Sequence, residues 1–169
     1  VHTIVEGETP TTMAKSTGLG VIELATQFEN LKPDVVLTVA DRFETIATAI
    51  RIGDPASHDR AVRTIRETRG LVTAVSDREI LEAKAIVDAA GIGCEPASAA
   101  GLAGVKQLVG TGVIQPGELV LTYLTGNLLK DVDVVAEYHL GPTPGELANP
   151  PIVIDPDLDA LDQAMRRVL

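Results

Sequence analysis

The chain has 169 residues, a formal net charge of −10 and a 45% hydrophobic composition, enough for one domain with its own core and too apolar for a disordered chain. The acidic balance excludes nucleic acid and anionic membrane as partners, because both require a basic face. No apolar run approaches the ~20 residues of a membrane span, and a single cysteine, Cys94, excludes an internal disulfide and a cysteine-based zinc site.

The aromatic residues are Phe28, Phe43, Tyr123 and Tyr138 alone, so the core is to be built from Val, Ile, Leu and Ala, a composition suited to buried parallel strands and Ala-rich helices. Val1–Val5 reads as a short strand. Thr9 and Pro10 open a helix through Asn30, which Gly18 and Gly20 are expected to interrupt. Lys32-Pro33-Asp34 is a turn, and Val35–Ala40 a strand buried on both faces. Phe43–Ile52 reads as a helix broken by Gly53-Asp54-Pro55. Ser57 caps a further helix from His58 to about Thr68, ended by Gly70.

Leu71–Val75 reads as a short strand. Ser76 with Glu79 forms a capping box for a helix to Ala90, closed by Gly91. Pro96 begins a helix to about Val109. Glu118–Leu124 is the strongest strand in the chain, followed by a turn or short helix over Asn127–Asp133. Gly141–Pro151 is a Pro- and Gly-rich surface loop, Ile152–Ile154 a strand fragment and Leu158–Leu169 a final helix. Strands alternating with helices predict an α/β, three-layer Rossmann-like domain with a mainly parallel sheet. No basic-then-apolar leader opens the chain, so a reducing cytoplasm is expected. Val rather than Met at the first position suggests truncation upstream.

Two segments stand where an open α/β sheet holds its ligands, at a helix N-terminus and at the carboxyl end of a strand. They are Gly91-Ile92-Gly93-Cys94-Glu95-Pro96-Ala97-Ser98-Ala99-Ala100 and Leu124-Thr125-Gly126-Asn127-Leu128-Leu129-Lys130-Asp131. With Ile46–Ser57, Val75–Ile80 and Gln115–Glu118, they resemble, in order and spacing, the C-terminal part of threonine synthases, enzymes of the pyridoxal-phosphate (PLP) fold type II. Leu128 departs from the Gly common at that place in the family.

The resemblance implies PLP as the parent cofactor and a small-molecule substrate, with Thr125 hydrogen-bonding the pyridine nitrogen and Glu95 beside the cofactor ring. A hydroxyl, unlike a carboxylate, does not hold that nitrogen protonated. Glu95 reads equally as an acid favoured at a helix N-terminus. Ser98 reads as a helix-start residue, Cys94 as a packed small apolar side chain, and Lys130 as an anchor of its turn through Asp131. The family binds PLP through a lysine in a Ser-Phe-Lys-Asp-like motif and a Gly-rich phosphate loop. None of Lys15, Lys32, Lys84, Lys106 and Lys130 stands in such a motif, and no such loop is present. The expectation is therefore a piece inactive by itself, with weak or no PLP binding.

The first fifty residues resemble a different family. Glu6–Gly20, Phe28–Val36 and Ala40-Asp41-Arg42-Phe43-Glu44-Thr45 are similar to the N-terminal region of hydrolysing UDP-N-acetylglucosamine 2-epimerases, in which the residue matching Asp41 is a catalytic-site carboxylate. Asp41 reads equally as a helix cap. The two resemblances meet at Glu44–Ile50, which suggests a chimera of segments 1–50 and 51–169 within one folded domain, its join a continuous helix. A sheet edge left without its parent neighbour favours self-association, so a homo-oligomer is possible.

Overall fold

The computed structural model describes residues 9–39, 45–54 and 57–168. The candidate strand Val1–Val5 and the candidate carboxylate Asp41 lie outside the described residues.

Helix α1 spans Pro10–Leu31 without a break. Gly18 and Gly20 are exposed with open space around them, so they weaken the helix by about 1 kcal/mol each relative to Ala but do not end it. It stops before Pro33, whose ring disfavours helical backbone at Lys32. Lys32 instead turns to a left-handed φ of 45° while its N–H still reaches Phe28 O at 2.9 Å.

Strand β1, Val35–Leu37, pairs in parallel with β2, Val120–Thr122, in the register Val35 to Val120 and Leu37 to Thr122. Asp34 fixes that register: its carboxylate accepts the Leu119 N–H at 2.8 Å while its own N–H donates to Leu119 O at 2.9 Å. The described residues thus form an α/β arrangement on a small parallel sheet, as the alternating elements predict.

Three expected elements differ. Leu71–Val75 forms no strand; its backbone is tied sideways to a helix instead, Gln107 Nε2 donating to Ala74 O at 3.1 Å and Thr73 bonding the same side chain. Ile152–Ile154 forms no strand, with Val153 86% exposed. Thr45–Ile52 is not a helix: Ala47 is extended, and only Thr48–Ile50 form a 3₁₀ turn. Side-chain bonds compete successfully with the helix here. Thr45 Oγ1 accepts the Ala47 N–H and donates to Asp77, while Thr48 donates through both N–H and Oγ1 to the Asp131 carboxylate.

Helix α2, His58–Thr68, ends at Arg69 in the left-handed region, with Gly70 N–H returning to Ile65 O. Helix α3, Asp77–Ala89, carries the expected capping box, both Ser76 and Glu79 side chains bonding the other's backbone. Helix α4, Pro96–Gly110, packs along α3. Ile80, Ala83, Val87, Cys94, Ala99 and Ala103 make the core between them. Lys84 is buried in that layer, its ammonium 2.7 Å from Asp88.

The opposite side of α4 lies on the sheet, and two glycines allow it. A Cβ on Gly101 would overlap Thr122 Oγ1, and one on Gly104 would meet Leu37 Cδ2 at 3.1 Å. The chain closes with α5, Val132–Leu140, which extends beyond the turn expected there, and with α6, Leu158–Val168.

Candidate functional site

The two motif segments converge at the N-terminus of α4. Pro96 occupies its first turn, where a missing N–H costs nothing. Glu95, at the cap position, is extended and makes no side-chain cap bond; its N–H donates to Gly126 O at 3.1 Å. The chain leaving β2 therefore runs across the start of α4.

Ser98, in the first turn of α4 and 2% exposed, joins the segments. Its Oγ accepts the N–H of Thr125 at 3.0 Å and of Gly126 at 3.1 Å. Its hydroxyl has Thr125 Oγ1 at 3.4 Å and Glu95 Oε1 at 3.5 Å as further partners. Both residues predicted for the site, Thr125 and Glu95, are thus brought to one place by a side chain that the sequence suggests only as a helix-start residue. Its position three residues after the cap was the available signal, since hydroxyls there commonly bond nearby backbone.

Glu95 is 4% exposed and lies flat against Gly126, whose missing Cβ makes the room; any side chain there would overlap the carboxyl group. Lys130 Nζ approaches Glu95 Oε2 at 3.2 Å, off the hydrogen-bonding angle, so the pairing is Coulombic. Lys130 pairs with Glu95 rather than with Asp131, whose carboxylate accepts from Thr48. Leu128 packs against Gly93 at the edge of the same cluster, where a Cβ would come within 2.9 Å of Leu128 Cδ2. Cys94, beside Glu95, is wholly buried in the core, and burial pushes its thiol pKa up; it is packing, not a nucleophile.

The fit to a pyridoxal phosphate is partial. Thr125 is exposed and presents a hydroxyl suited to a pyridine nitrogen. The neighbouring N–H groups of Thr125 and Gly126 are already bonded to Ser98, and the carboxylate beside them repels a phosphate. Lys84 is shut inside the core with Asp88, Lys106 lies 3.3 Å from Glu82, and Lys130 faces Glu95. Two cavities among the described residues, of about 330 and 240 Å³, lie elsewhere, one between Ile152–Asp155 and α6 and the other around Tyr138. The described residues fit one contact to the ring and do not fit the whole cofactor.

A pyridoxal-phosphate dependent enzyme family model matches residues 6–126, most of the chain. The chain belongs to that family, whose cofactor is PLP, and the match includes much of the segment that resembles the epimerases. Within the family it is threonine synthase-like. It is 42% identical over 130 residues to a threonine synthase of Methanosarcina acetivorans, covering 76% of this chain and 30% of the relative. It is 48% identical over 97 residues to that of Bacillus sp. strain ULM1, covering 57% and 28%. It is 42% identical over 121 residues to that of Mycobacterium tuberculosis H37Rv, covering 68% and 34%. The chain thus spans about a third or less of the length of these relatives. No described helix is long and apolar enough to cross a membrane.

Proposed function

We propose that this chain is the cofactor-ring wall of a threonine synthase-type lyase, and that alone it does not turn over. The parent reaction converts O-phospho-L-homoserine and water to L-threonine and phosphate. In that setting Thr125 meets the pyridine nitrogen, Glu95 lies beside the ring, and Ser98 holds both in register. The observation that carries this reading is the Ser98 hydroxyl bonding the backbone of Thr125 and Gly126 while standing next to Glu95.

The absent lysine motif and phosphate loop support the second half of the reading. One neutral hydrogen bond contributes roughly 0.5–1.5 kcal/mol net, whereas even millimolar binding requires about 4 kcal/mol. The chain is incubated with PLP, reduced with borohydride and weighed by mass spectrometry, and phosphate release from O-phosphohomoserine is followed in parallel. No stoichiometric adduct and no phosphate release are expected. A phosphopyridoxyl group on a single lysine, with phosphate release, would overturn the proposal.

A further inference from the structure

The loop after α5 is tied back onto that helix. Gly145 N–H donates to Tyr138 O at 3.0 Å and Ala148 N–H to Gly145 O at 3.0 Å. Asn149 N–H donates to Nδ1 of the half-buried His139 at 2.9 Å. Glu146 Oε1 also meets Arg78 Nη2 of α3 at 2.8 Å. Residues 141–149 therefore form a strap over the end of α5. Its middle lies flat on Tyr138, where a Cβ on Gly145 would overlap the phenol ring. Its start, with Pro142 and Thr143, walls the cavity of about 240 Å³ shared with Ile46, Leu81 and Val134.

Few bonds hold the strap down. The Arg78–Glu146 pair is largely exposed on both sides, and such pairs add little. Pro150 and Pro151 follow and have no N–H to give, so Asn149 is the last backbone donor of the strap. The closed state also carries a cost, because the Tyr138 hydroxyl is buried without a hydrogen-bond partner. Lifting the strap wets that hydroxyl, so the bond at His139 weighs heavily in the balance.

That bond can be switched. An imidazole accepts at Nδ1 only while that nitrogen carries no proton, and the doubly protonated ring is a donor at both nitrogens. Its N–H would then point at the Asn149 N–H. Histidine is the side chain whose charge changes between about pH 8 and pH 5. The charged groups on the surrounding elements are engaged elsewhere. Glu146 of the strap is held by Arg78 of α3, which also holds Glu82. Glu137 of α5 borders the cavity, and Tyr138 meets the imidazole edge-on with ring centroids 5.0 Å apart. Among the described residues no ion pair forms to His139.

We infer that residues 141–149 are a pH-released strap, clasped over Tyr138 by the His139–Asn149 bond while the imidazole is neutral and let go when it is doubly protonated.

Amide hydrogen exchange of the whole chain at pH 7.5 and pH 5, corrected for the intrinsic pH dependence of exchange, tests it. Protection of the strap is expected to fall about tenfold at the lower pH, the loss of one hydrogen bond and its replacement by a donor–donor contact, while α3 and α4 keep theirs. His139→Asn keeps an acceptor near the Nδ1 position but cannot titrate, so its strap should stay protected at both pH values. His139→Phe has no acceptor, and its strap should exchange at both pH values as the parent strap does at pH 5. Strap protection indifferent to pH in the parent would overturn the inference. So would a His139→Asn variant that follows the parent's pH dependence, a His139→Phe variant as protected as the parent at pH 7.5, or a loss at pH 5 shared equally by α3 and α4.

Discussion

Ser98 Oγ accepts the backbone N–H of Thr125 at 3.0 Å across 27 residues of sequence. That bond, with its companion to Gly126, lets the start of α4 dictate the path of the chain leaving β2. A buried hydroxyl that satisfies two backbone donors is a positioning device: the exposed Thr125 side chain inherits its place from Ser98 rather than from contacts of its own.

Replacing Ser98 with Ala leaves both part-buried N–H groups without that acceptor. Each unsatisfied buried donor costs about 1–3 kcal/mol, so Ser98→Ala is expected to lower the unfolding free energy by at least ~1 kcal/mol in urea. Thr125→Val, at an exposed site, should stay within ~0.5 kcal/mol of the parent. Equal losses in the two variants would contradict the assignment of the positioning role to Ser98.

Gly126 is required for a different reason. Its Cα rests against the Glu95 carboxyl, and an added Cβ would overlap it. Glu95 is buried, which leaves its side chain little room to swing aside. Gly126→Ala is expected to cost about 1–3 kcal/mol, the usual range for overpacking, measured by thermal or urea unfolding. A neutral result would mean that Glu95 has an alternative rotamer, and with it that the Lys130 pairing is dispensable.

Much of the fold was legible because local chemistry agreed with the tertiary structure. The Ser76–Glu79 box, Gly91 at φ 75° and Pro96 in the first turn of α4 each act within a few residues of themselves. The apolar runs at Val35 and Glu118 did pair, in parallel, though over fewer residues than the runs suggest. What failed involved long-range polar bonds. Thr45–Ile52 has a helical pattern, but Asp77 and Asp131, distant in sequence, capture the Thr45 and Thr48 hydroxyls. Leu71–Val75 has the composition of a strand, but Gln107 binds its backbone first. In the candidate site, it was the resemblance to threonine synthases, not residue type or spacing, that singled out Thr125 and Glu95. The link through Ser98 depends on the crossing of α4 and β2, which no local pattern encodes.

The capping box predicts an acid-sensitive helix start. The Glu79 carboxylate accepts from the Ser76 N–H at 2.6 Å and from its hydroxyl at 2.7 Å, and these bonds hold its pKa below the ordinary 4.5, the backbone bond foremost. A carboxyl group depressed in the folded state binds its proton more readily in the unfolded chain. Its stabilisation is therefore complete above the ordinary value and fades as pH falls through the lower folded one. Unfolding free energy measured between about pH 6 and pH 3 should fall with acid less steeply in Glu79→Gln than in the parent. Ser76→Ala should cost about 0.5–2 kcal/mol at neutral pH. Parallel pH profiles for Glu79→Gln and the parent would show that the box contributes no proton linkage.

Cys94 gives a readout of the α3–α4 core as a whole. It has no exposed surface and sits among Ile80, Ala83, Val87, Ala99 and Ala103. Burial is the main cause of its raised thiol pKa; nearby Lys84 opposes the shift, while Asp88 and Glu95 add to it. Because only the thiolate reacts, and only when reached, two independent barriers protect it. In native buffer near pH 8 a disulfide reagent should leave Cys94 unmodified on the timescale in which it labels a free thiol, and urea should raise the rate in step with global unfolding. Cys94→Ala removes one buried atom and is expected to cost about 1 kcal/mol, whereas Cys94→Ser places a hydroxyl in the same apolar site and should cost roughly 1–3 kcal/mol. Rapid stoichiometric labelling of the native chain, or a serine variant as stable as the alanine one, would mean that α3 and α4 separate locally well below the global unfolding free energy.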